Sequence, residues 1–95
     1  MRDAVAKLGA AYANGSVKPY IMQQNPSRYV GVDSEESITV DIVGDAEHLT
    51  DYVAPGIWDV VVSTEMIEHV RDWRAVMKEI GEALAPGGLL LLTTR

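Results

Sequence analysis

The chain has 95 residues, 47% of them hydrophobic and 23% charged, which describes one globular domain of modest stability rather than a disordered or repetitive segment. Fourteen acidic against eight basic residues give a formal net charge of -6, and without a Lys/Arg cluster neither a nucleic-acid backbone nor an anionic membrane surface is an expected partner. Cysteine is absent, which excludes disulfides, thiolate metal sites and Cys nucleophiles and fits a cytoplasmic location; no apolar run is long enough to span a bilayer, and the N-terminus carries no signal-peptide pattern.

In chain order, the first thirteen residues read two ways. Ala4–Leu8 suits a strand, whereas the Ala-rich stretch from Asp3 to Ala13 has high helix propensity. A strand is preferred because the later segments need a strand–loop–helix unit before them. A short helix is expected from Val17 to about Gln24, capped by Ser16, with Pro19 tolerated in its first turn and Asn25-Pro26 ending it. Arg28–Asp33 is a β-rich run closing on an acid. Thr39–Asp45 alternates Val40 and Ile42 with Asp41, as an edge strand with one wet side would.

Ile57–Thr64 and Leu89–Thr94 are nearly continuous apolar runs, the habit of parallel strands covered on both faces. Between them lies the strongest helix signal. Trp73, Val76, Met77, Ile80 and Leu84 form one apolar stripe, Asp72 is the expected N-cap, Pro86 the stop, and Gly87-Gly88 the turn into the last strand. The alternation of strands and helices predicts an α/β fold with a parallel sheet and ligands at the carboxyl ends of the strands. The polar residues Asp33, Asp45 and Ser63–Glu65 all fall at such ends.

Several of these residues carry two readings. Asp33 follows Gly9 by 24 residues, close to nucleoside-unit spacing, and an acid there can accept from vicinal ribose hydroxyls; strands also end in Asp simply because Asp starts turns. Gly44-Asp45-Ala46 is an ordinary turn, or a place where Asp45 accepts from an adenine amino group and Ala46 admits the base. His69 has a pKa suited to general-base work, but Glu68-His69 more commonly marks a helix start, so it is a weak catalytic candidate. His48 reads as a solvated loop residue, and Trp58 and Trp73 as packing. No His-x-x-x-His or Glu-x-x-His spacing is present and no metal site is predicted.

Taken together, Tyr29-Val-Gly-Val-Asp33, Val43-Gly-Asp-Ala46, Trp58-Asp-Val-Val-Val-Ser-Thr-Glu65, Glu68-His-Val70 and Leu84-Ala-Pro-Gly-Gly-Leu89 resemble successive motifs of class I S-adenosylmethionine-dependent methyltransferases, nearest the small-molecule group. The resemblance covers residues 28–94 well and residues 9–21 loosely. It implies a Rossmann-like parallel sheet, truncated to about five strands in the order 3-2-1-4-5, with helices on both faces and residues 1–95 as a single partial domain. It implies S-adenosylmethionine as cofactor, with Gly9 in the first turn, Asp33 on the ribose, and Asp45 and Ala46 at the adenine, Glu47 beside them. Ser63 and Glu65 would flank the methionine part and the transferred methyl, with Met66-Ile67 as apolar cover.

The chain departs from the family at its first motif, where Lys7 holds an acidic position and Ala11 that of a glycine, which weakens the expected grip on the cofactor. It also stops at Arg95, where the family's sheet continues with strands that bear much of the acceptor pocket, so the acceptor is not legible. The Leu89–Leu92 strand is then an open edge, and self-association through it, or its pairing with a missing C-terminal segment, is expected. Two other readings stand beside the first. A catalytically inactive remnant serving as an interaction module would explain Lys7 and the short chain. An NAD-dependent oxidoreductase would explain Asp33 but not the missing Gly-x-Gly-x-x-Gly, nor Gly44-Asp45 and Pro86–Gly88.

Overall fold

The computed structural model describes residues 4–8, 18–64 and 70–93. Among the described residues, five strands form one wholly parallel sheet: β1 (Ala4–Leu8), β2 (Arg28–Asp33), β3 (Ile42–Val43), β4 (Trp58–Thr64) and β5 (Leu84–Thr93). Their order is β3-β2-β1-β4-β5, as the resemblance implied. Helix α1 (Lys18–Met22), helix α2 (Trp73–Ala83) and a 3-10 helix (Ala46–Asp51) make the crossovers.

Ala4–Leu8 is a strand, buried at every position. Its central place between β2 and β4 demands that, because a middle strand of a parallel sheet has no wet face. Ala4, Ala6 and Leu8 pack with Val32, Val61, Val76, Ile80 and Leu49 on the α2 side. Val5 packs with Val60 and Val62, against Ile21 and Tyr29, on the α1 side. Helices therefore cover both faces.

Helix α2 starts where expected. The Asp72 carboxylate accepts from the backbone N–H groups of Arg74 (3.1 Å) and Ala75 (3.3 Å), filling donors that the first turn leaves unpaired. Val76, Ile80 and Ala83 are its buried residues, and Met77 packs beside them. Two members of the expected stripe differ. Trp73 is 51% exposed, because it sits at the first helical position beyond the cover of the sheet, and its ring stacks under the Arg74 guanidinium at 4.6 Å. Leu84 is not helical. A proline disfavours helical backbone at the residue before it, so the chain must leave the helix ahead of Ala85-Pro86. It does so at Ala83, and Leu84 turns extended to pair with Trp58.

Pairing resumes at Leu89 opposite Val60, so residues 85–88 bulge out of the ladder. Gly87 takes φ +78° in that bulge. Gly88 is held so close to the Ala85 and Trp58 carbonyl oxygens that a Cβ would lie 2.9–3.0 Å from them.

The expected edge strand over residues 39–45 shortens to Ile42–Val43. Asp41 makes its own closure instead: its carboxylate accepts from Gly31 N–H at 2.7 Å and its N–H donates to the Gly31 carbonyl at 2.8 Å. A side chain thus replaces a ladder bond. Helix α1 is Lys18–Met22; its end runs into single turns closing on Asn25, whose φ of 51° is the left-handed value that Asn tolerates. The expected cap Ser16 and first residue Val17 lie outside the described residues.

Candidate functional site

Parallel strands all finish at one edge of the sheet, and in an open sheet the crevice beyond that edge collects ligands. Here the ends of β2 and β3 frame an open cleft, lined by Val32, Asp33 and Ser34 from one and Gly44, Asp45 and Ala46 from the other, with Val70 across from them. It is a shallow cleft of about 70 Å³, open to solvent and smaller than an enclosed small-molecule site. The two acids are brought together by backbone pairing: Gly44 N–H donates to the Asp33 carbonyl at 2.8 Å, one step past the last ladder pair, Asp33 with Val43. A Cβ at Gly44 would lie 2.7 Å from the Tyr52 ring, so a side chain there would require that ring to move.

Asp33 is half-buried, and its Oδ1 accepts from Glu35 N–H at 2.9 Å, which orients the carboxylate at the strand end. Asp45 is exposed and caps the 3-10 helix, its Oδ1 accepting from Glu47 N–H at 2.9 Å. Both expected acids are also turn formers, so the ordinary reading and the ligand reading describe the same geometry. Ala46 presents only a methyl group to the cleft, and Glu47 is half-buried beside it.

Ser63 stands apart from this cleft. It lies near the end of β4, in register with Leu8 and Leu92, fully buried, with an Oγ that has no hydrogen-bond partner among the described residues. A buried hydroxyl left unpaired costs about 1–3 kcal/mol, which marks Ser63 as a position needing a polar partner. Gly9, Glu65, Met66, Ile67 and His69 lie outside the described residues. Among the described residues no three of His, Cys, Asp and Glu gather as a metal site would require, and no helix is long and apolar enough to cross a membrane.

Sequence reasoning missed two features. Val70 closes the cleft, for which the only signal was an apolar residue directly after Glu68-His69. More consequential is Lys7, noticed as an odd residue but not as a buried one. It is 4% exposed at the end of the central strand, and its Nζ donates to the Leu8 carbonyl. Burial lowers its pKa to about 8, against the opposing pull of the Asp33 carboxylate. The signal was its place inside a strand whose other residues are all apolar.

Comparison with known proteins agrees with this architecture. Residues 12–95 match the model of a methyltransferase domain family. The chain is 32% identical over 96 residues to a ubiquinone biosynthesis O-methyltransferase of Xanthomonas campestris, covering 99% of this chain and 38% of that protein. It is 30% identical to the protein of the same name in Parvibaculum lavamentivorans, covering 99% and 35%. The chain thus spans less than two-fifths of the length of these relatives. Among solved structures, a chain from the complex of the Haloferax volcanii Trm112 methyltransferase activator with a methyltransferase superposes with a TM-score of 0.67 at 21% identity, over 90% of this chain and 42% of that one, a likeness of fold. By the family match and by relatives at this identity, the chain belongs to the methyltransferase domain family.

Proposed function

We propose that these 95 residues are the cofactor-side portion of an S-adenosylmethionine-dependent methyltransferase. The observation that carries this reading is the placement of Asp33 and Asp45 across one cleft at the ends of adjacent parallel strands. Asp33 accepts from the ribose hydroxyls, Asp45 from the adenine amino group, and Ala46 leaves room for the base. Ser63, with Gly9 and Glu65, flanks the methionine part, where the unpaired Ser63 hydroxyl has a partner to gain. When bound, S-adenosylmethionine supplies a methyl group already activated by its sulfonium. The work left to the chain is to hold and orient, which by itself lowers the barrier to transfer substantially. His69 remains a candidate base. The names of the relatives favour an oxygen acceptor.

The acids of the cleft suit the adenosine part, whereas Lys7, a buried cation near the end of the central strand, does not suit a cationic sulfonium. The cytoplasm, as a reducing compartment, suits a protein without cysteine. Strand β5 ends the sheet with Leu89, Leu91 and Leu92 exposed, and pairing with a second copy along it is part of this reading.

Calorimetric titration with S-adenosylhomocysteine and with NAD tests the assignment. The first should bind and the second should not. Asp33→Ala should weaken binding by about tenfold to a hundredfold, the worth of charge-assisted hydrogen bonds to a diol. Binding of NAD alone would transfer the assignment to an oxidoreductase, and binding of neither would leave an interaction module. Unchanged affinity in folded Asp33→Ala would remove Asp33 from the site.

A further inference from the structure

Lys7 is, among the described residues, the one ionisable side chain in the buried interior. Strand register sets it beside Gly31 of β2 and Val62 of β4. Alternation along β1 sends it to the same side of the sheet as Val5 and, on β2, Tyr29 and Asp33. Its ammonium is held at the carboxyl edge by the Leu8 carbonyl. That edge lies where the sheet order reverses, with β2 and β3 on one side of β1 and β4 and β5 on the other. In open parallel sheets the crevice above such a reversal is where a ligand lies.

Charged and titratable groups among the described residues near Lys7 come from two elements. Strand β2 contributes Asp33 and Tyr29, α1 contributes Lys18, and β4 presents Val60 and Val62. The Asp33 carboxylate favours the charged lysine, and desolvation opposes it more strongly. Tyr29 is pushed up to about 12 by burial and by Asp41, so it stays neutral across the range in which Lys7 titrates. The Lys18 ammonium sits over the Tyr29 ring at 5.1 Å.

We propose that Lys7 sets the charge preference of the site, its ammonium under the β1 edge disfavouring a cationic sulfonium relative to the neutral thioether left after methyl transfer. This rests on the S-adenosylmethionine reading above. Two like charges in a partly desolvated crevice repel far more than in water, and at an effective dielectric near 20 a separation of about 8–10 Å is enough for a preference of roughly tenfold or more. The lysine's pKa is lowered to about 8, so the repelling cation is present below that pH and disappears above it. The discrimination must therefore fade as pH rises. By reciprocity, the bound sulfonium drives the proton off Lys7.

The test is calorimetric binding of S-adenosylmethionine and S-adenosylhomocysteine to the wild type, Lys7→Met and Lys7→Gln, at about pH 6.5 and about pH 9. Ionisation of the ligands' own groups is common to all three proteins and cancels when they are compared at one pH. At the lower pH the ratio of the two dissociation constants should favour the thioether about tenfold more in the wild type than in either variant. At the higher pH the three proteins should converge. Two neutral variants are used so that one misfolding substitution does not decide the outcome. Equal ratios in the wild type and a folded variant at pH 6.5, with both ligands bound, overturn the inference alone. Failure of the wild type to bind either ligand overturns the proposed function and this inference together.

Discussion

Replacing Ile80 by alanine is the sharpest test of how α2 meets the sheet. Ile80 is 1% exposed and belongs to the cluster of Leu8, Val32, Leu49, Val61 and Val76, contributed by three strands, the 3-10 helix and α2 itself. Strands locked in a parallel ladder cannot close over the vacated space, so the cost should sit in the upper part of the range for such truncations, about 3–4 kcal/mol. A domain of this length has a total stability on the order of 5–14 kcal/mol, and each kilocalorie shifts its Tm by about 4–8 °C. Ile80→Ala should then lower Tm by roughly 12–30 °C. Trp73→Ala removes a larger side chain, yet one half exposed and stacked on the Arg74 guanidinium, and should cost about 2 kcal/mol or less. Thermal unfolding followed by far-ultraviolet circular dichroism reads both, with urea denaturation as a check that the denatured state is unchanged. A Trp73→Ala shift equal to or larger than that of Ile80→Ala would refute the rotational setting of the helix.

The Glu79 carboxylate accepts from Thr50 N–H (2.9 Å) and Thr50 Oγ (2.8 Å), tying α2 to the 3-10 helix, and the backbone bond above all lowers its pKa. A depressed acid stabilises the fold above its unfolded pKa and loses that stabilisation as pH falls through the folded value, so wild-type Tm should drop more steeply below about pH 4.5 than that of Glu79→Gln; parallel curves would count against the tie. If β5 pairs with a second copy, light scattering should show mass rising with concentration for the wild type and not for Leu90→Lys/Leu92→Lys, whereas a wild-type monomer at every concentration would show the edge to be closed otherwise.

Residue order alone was enough to place β2, β4, the N-terminus of α2 and the strand-terminal acids. Those features depend on local chemistry: apolar continuity, an Asp before a periodic run, an Asp where a strand must turn. The order of the strands came from motif resemblance, and the ladder bears it out. The tertiary structure decided matters that hinge on distant neighbours. Asp41 looked like the wet side of an edge strand because no pattern shows that its carboxylate reaches Gly31, ten residues away. Leu84 looked helical because its spacing fits α2, but Pro86 and the pairing with Trp58 claim it for β5. Trp73 fits the same stripe and still lies outside it, since a helical phase gives direction but not how far the sheet extends beneath. Lys7 shows the largest gap between the two levels. In sequence it is a charged residue in a doubtful segment; in the sheet it is a desolvated cation on the central strand, because burial belongs to the surroundings of a residue and not to its type.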